Sequence, residues 1–94
     1  MPKIAVYDYL TFFVVMFDIL NEPPHLHVYS SKSHSQNSAK IWIKSGDFAT
    51  LGKLSGKDQT LVKKLVDQNR EELLDVWNDI LMGKKRKPIK FKLK

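Results

Sequence analysis

Apolar and polar positions change their period near the middle of this chain. Ile4-Ala5-Val6-Tyr7 and the run from Leu10 to Asp18 are rich in β-branched and aromatic residues and read as strands. In the second run apolar side chains fall on both faces, which predicts a central strand covered on both sides. Asp18 to Pro24 is a polar turn, and His25 to Tyr29 opens the next strand. Ser30 to Ser38 offers nothing to bury and predicts a mobile hairpin connection. From Ala39 to Lys44 the alternation returns: Ile41 and Ile43 share one face, Lys40, Trp42 and Lys44 the other. Ser45-Gly46-Asp47 predicts a turn before a short strand over Phe48 to Leu51.

After Ser55 the period becomes helical. Leu61, Val62, Leu65 and Val66, then Leu73, Leu74, Val76, Trp77, Ile80 and Leu81, follow it. Ser55 with Asp58, and Asn69 with Glu72, have capping-box spacing. They predict two helices, about 56–68 and 70–82, with one bent helix as the alternative. Gly83 is placed to end the second, and Pro88 prevents its resumption. Ile89, Phe91 and Leu93 then alternate with Lys90, Lys92 and Lys94, the pattern of a strand with one apolar and one cationic face. Such a strand adds to the domain's own sheet edge or pairs with another chain. Strands followed by helices make an α+β fold. The expected architecture is an antiparallel sheet of three to five strands, with the C-terminal helices packed on one face. A single domain spans residues 1–83, and 84–94 form a basic tail.

Length and composition narrow the class. Ninety-four residues make one small domain, and 43% hydrophobic with 28% charged residues is ordinary globular composition. The absence of cysteine excludes a disulfide framework and a thiolate zinc site. The longest apolar run, Leu10 to Phe17 with Thr11 inside it, is far short of the roughly 20 residues a membrane helix needs. Asp8 interrupts the apolar start, against a signal peptide. A cytoplasmic protein with no membrane partner is expected. The net charge of +6 is local: residues 1–83 carry nine basic and ten acidic groups, while residues 84–94 carry seven basic groups and no acid.

The densest chemistry lies in Asn21-Glu22-Pro23-Pro24-His25-Leu26-His27-Val28. Two prolines force an extended backbone, and on the strand that follows both imidazoles project from one face. Together with the Met1-Pro2-Lys3-Ile4 start, the Lys-Ile-Trp-Ile strand at 40–43 and a late helix carrying Glu71, Glu72, Leu73 and Trp77, this order resembles the small bacterial domain-of-unknown-function family 4160. The resemblance spans most of the chain. It implies a compact α+β domain and a protein partner encoded by an adjacent gene, because members are often found beside a second small domain in a suspected toxin–antitoxin-like arrangement. It supplies no catalytic residue.

His25 and His27 have three readings. They could bind a metal with Glu22, His34 or Asp18 as a third ligand, although no second ligand pair recurs. They could act as general acid and base of a metal-independent ribonuclease, histidine's pKa of about 6.5 suiting both roles. The leading reading is structural, with both rings hydrogen-bonded to the Asp18–Glu22 turn. Lys84, Lys85, Arg86 and Lys87, with Phe91 nearby, suit phosphates and a stacked base, or simply a solvated extension. Trp42 between Lys40 and Lys44 is a stacking platform or a ring packed by a helix, and Trp77 is core. A phosphate-binding glycine loop, a nucleophile elbow and a helical zinc-protease motif are all missing from the sequence.

The function expected is therefore a small module of a two-protein, toxin–antitoxin-like system that binds RNA or DNA. Its contact face would hold His25 and His27 flanked by Lys40, Trp42 and Lys44, with Lys84 to Lys87 on phosphates. The alternative is a non-enzymatic interaction domain that forms a homodimer or a complex with a neighbouring gene product. No cofactor is expected, and the sequence does not decide for or against an enzyme.

Overall fold

A two-residue loop, Asp8-Tyr9, joins β1 (Lys3–Tyr7) to β2 (Leu10–Phe13), with Tyr7 opposite Leu10. Asp8 takes the left-handed φ of 51° that such a tight hairpin demands, a conformation aspartate tolerates better than most residues. The computed structural model describes residues 3–16, 21–32 and 38–93. β2 pairs with β3 (His25–Ser30), β3 with β4 (Ala39–Trp42) and β4 with β5 (Phe48–Thr50), all antiparallel. The last strand, β6 (Ile89–Lys90), returns to the far edge and lies parallel to β1. Among the described residues the sheet thus has six strands, in the order β5-β4-β3-β2-β1-β6.

The expected three to five strands were too few. The alternation of Ile89 with Lys90 marks a strand but does not say that it will pair with a segment more than eighty residues earlier. The β2 reading also ran long: the strand ends at Phe13, Val14 to Met16 are not in the ladder, and residues 17–20 lie outside the described residues. So do residues 33–37 of the Ser30–Ser38 connection, with His34.

Residues directly opposite each other on antiparallel strands share a face. Ala5, Leu10, Phe12, Leu26, Val28, Ala39 and Ile41 are all buried and occupy one of them. The helices α1 (Gly56–Gln68) and α2 (Arg70–Leu81) close over it with Val62, Leu65, Val66, Leu73, Val76, Trp77 and Ile80. Phe91, just past β6, enters the same core edge-on to Phe12, at 5.0 Å between ring centroids. The opposite face of the middle strands is only half covered, so β2 is not sealed on both sides as its sequence suggested: Thr11 and Phe13 are both partly exposed.

Ser55 caps α1, its Oγ accepting from the Asp58 amide at 3.1 Å. Asn69 does not repeat the device. It is at once the last cap of α1 and the first of α2, at φ −120° and ψ 20°, and its side-chain amide donates back to the Leu65 carbonyl at 2.8 Å. The break at Asn69 still gives two helices rather than one bent one, and Glu71 and Glu72 in the first turn of α2 favour its positive end. Arg70 Nε donates to the Ile43 carbonyl at 2.8 Å and fixes the start of α2 against the end of β4. Gly83, at φ 76°, ends α2: its amide reaches Ile80 at 3.0 Å and the Lys84 amide reaches Asp79 at 2.8 Å. These are the paired bonds of a Schellman motif.

Candidate functional site

The register of the middle strands builds a row across the open face. Lys3 lies opposite Phe13, Phe13 opposite His27, His27 opposite Lys40 and Lys40 opposite Thr50. The two central rings are stacked, 5.4 Å apart and 20° from parallel. Phe13 and His27 are each partly exposed, and lysines stand on either side of them. A neighbouring row carries Val6, Thr11 and the exposed Tyr29.

His25 occupies the closed end of this face. It is wholly buried, with ring centroids of His27, Trp42 and Trp77 at 5.3, 5.7 and 5.1 Å. Its Nδ1 lies 2.9 Å from the Pro23 carbonyl oxygen. A carbonyl only accepts, so Nδ1 carries the proton and the ring is locked to the backbone of the Pro-Pro segment. Residues 18–20 of the expected Asp18–Glu22 turn lie outside the described residues. Trp42 is half-buried opposite His25, and Trp77 is core.

Lys40 forms an ion pair with Glu22, and its Nζ also sits 4.8 Å from the Trp42 ring centroid, a cation–π distance. Glu22 therefore neutralises part of the cationic face. Lys44 is exposed beyond the end of β4. Lys84 to Lys87 are exposed in the connection from α2 to β6, where Arg86 pairs with Asp79 at 3.2 Å. The sequence-predicted site residues thus divide: His25, His27, Lys40 and Trp42 meet on one sheet face, while Lys84 to Lys87 belong to a different surface. Lys3 touches both, because it faces Phe13 and also lines the groove beneath residues 84–86.

Among the described residues no group of three or more His, Asp or Glu side chains is arranged to hold a metal ion. Glu22 is taken up by Lys40, and Asp18 and His34 lie outside the described residues. The residues that sequence reasoning overlooked are Lys3, Phe13 and Tyr29. Phe13 carried a readable signal, since a strand that buries Phe12 must turn Phe13 outward.

The fold and this face define a class: a small α+β domain whose helices cover one side of a sheet and whose other side presents aromatic rings between cations. The chain belongs to the family described as Domain of unknown function (DUF4160), whose model matches residues 10–78. No curated protein and no solved structure matches it. Among the described residues no helix is long and apolar enough to cross a membrane.

Proposed function

We propose that this domain binds single-stranded nucleic acid on the open face of its sheet, in the cytoplasm, as one member of a two-protein, toxin–antitoxin-like system. The observation that carries the binding is the stacked Phe13–His27 pair with Lys3 on one side and Lys40 on the other. Successive bases stack on such rings, each contributing about 1–3 kcal/mol, while lysines meet the phosphates. Tyr29 extends the aromatic surface, and Lys44 extends its cationic rim. His25 positions His27 through their edge-on contact. Acid–base cleavage by the pair would need two reachable imidazoles, and His25 is enclosed, so binding rather than cleavage is the activity proposed. The two-protein setting is supported by the family's suspected gene arrangement.

The test is fluorescence anisotropy of labelled oligouridine and oligothymidine with wild type, Phe13→Ala, His27→Ala and Lys3→Ala. Each aromatic substitution should weaken binding by about tenfold or more. Lys3→Ala should reduce the slope of log affinity against log salt by about 0.7. Wild type that binds neither oligomer, or binding indifferent to Phe13 and His27, would sink the proposal. A denaturing gel of the same mixtures detects cleavage, and cleavage lost in His27→Ala would replace binding with catalysis.

A further inference from the structure

The connection from α2 to β6 folds over a groove of about 570 Å³. Its apolar lining is aliphatic: Ile4 from β1, Met16 after β2, Ile80 from the last turn of α2, and Pro88. Its polar lining is cationic, supplied by Lys3, Lys84, Lys85 and Arg86, with no acidic residue among the described residues. Arg86 is partly neutralised by Asp79, whereas among the described residues no ion pair involves Lys84 or Lys85. Met16, in the lining, is 49% exposed.

From these features we infer that the groove docks an acidic, amphipathic segment of a partner protein. The charge argument is direct: seven basic residues and no acid follow Gly83, and four cations line an apolar trough. A segment with Leu, Ile or Phe on one side and Asp or Glu on the other satisfies both features at once. Methionine suits such a surface because its flexible, polarisable side chain adapts to the side chain it receives. The lining argues against nucleic acid as the occupant. Among the described residues it holds no aromatic ring, and bases bind through their π-faces, which the Phe13–His27 surface offers. The two surfaces share Lys3 but differ in their other residues, so a loss at Phe13 and His27 is read apart from a loss at Lys84 and Lys85.

The probe is a fluorescein-labelled peptide of about 12 residues, with leucines on one helical face and glutamates on the other. Anisotropy is read with the full chain, and circular dichroism confirms that each variant is folded. Met16, Lys84 and Lys85 are all exposed, so their substitution spares the core. Lys84→Glu/Lys85→Glu should weaken binding about tenfold or more, and Met16→Glu about fivefold. Lys57→Glu/Lys64→Glu, the same charge change made on α1, should leave affinity within about twofold. The inference is overturned if wild type does not bind the peptide, or if both charge reversals weaken it equally. It is also overturned if oligouridine displaces the peptide in a manner that depends on Lys84 and Lys85, which would make the groove a nucleic-acid site. A dimer by light scattering that Met16→Glu converts to monomer would make the occupant a second copy of this chain.

Discussion

Replacing Phe91 with alanine asks whether the last strand is part of the folded unit or an appendage. Phe91 is 5% exposed, meets Phe12 edge-on, and donates its amide to the Val6 carbonyl at 2.9 Å. Truncating a buried phenylalanine costs about 3–5 kcal/mol, including an aromatic contact of about 0.5–1.5 kcal/mol. The lower end applies here, because β6 has only two ladder residues and the site can collapse once the ring is gone. The loss is also capped at the free energy that docks β6, since beyond that the strand simply detaches. A 94-residue domain has a total stability of about 5–14 kcal/mol, so a loss of about 3 kcal/mol is a large fraction of it. The melting temperature should fall by about 12–24 °C. Urea and thermal denaturation followed by far-ultraviolet circular dichroism read both quantities. Phe91→Leu keeps most of the apolar volume and should cost only about 1 kcal/mol. If Phe91→Ala lies within about 0.5 kcal/mol of wild type, the ring is not in the core and the reasoning fails. Deleting residues 84–94 would remove this ring as well as the charges, so any binding loss in such a truncation must be separated from unfolding.

Two further perturbations test the fold elsewhere. Gly52 has φ +58°, and an added Cβ would sit 2.7 Å from the Ser38 carbonyl carbon and 2.8 Å from the Ala39 nitrogen, backbone that cannot swing aside. Gly52→Ala should therefore cost about 2–3 kcal/mol by urea denaturation, and a loss below about 0.5 kcal/mol would contradict that close approach. Tyr9 donates its hydroxyl to Asp58, and this bond first, then burial and the neighbouring carboxylates, raises its pKa above the ordinary 10.0. The folded chain then holds the phenolic proton more tightly than the unfolded chain. The resulting stabilisation is complete below pH 10.0 and is lost as pH rises through the folded value. Urea midpoints of wild type and Tyr9→Phe should converge in that range, and a constant gap would refute the linkage.

Periodicity made the helices readable because each buries a stripe on one side, and Ser55 marked the first with a cap that forms. Asn69 misled for a physical reason: with one helix ending on it, its amide found the Leu65 carbonyl nearer than the amides ahead. The histidine pair was visible from its spacing, but the different fates of the two rings were not. Burial of His25 depends on Trp77, fifty-two residues away, whereas the described ring contacts of His27 are with Phe13 and His25 on the sheet. The Lys3–Phe13–His27–Lys40 row lay deeper still. It requires the Asp8-Tyr9 hairpin to set one register and the irregularity between Lys3 and Ala5 to bring Lys3 opposite Phe13. Neither follows from hydropathy alone.

The position of β6 has a kinetic consequence. Five strands form a meander whose neighbours are close in sequence, so each ladder closes a short loop. The β1–β6 ladder instead joins Ala5 to Ile89 and closes nearly the whole chain. Loop-closure entropy makes such a contact slow to form until other structure has brought its ends together. The meander and helices can thus assemble first, and the groove, which needs Ile4 from one end of the chain and Pro88 from the other, is completed only when the last strand docks. The same asymmetry runs in reverse: a two-residue ladder at an edge is among the first elements to open from the native state. Brief opening would expose the hydrogen-bonding edge of β1 while leaving the Phe13–His27 face intact, so the two surfaces differ in how long they persist as well as in what they contact.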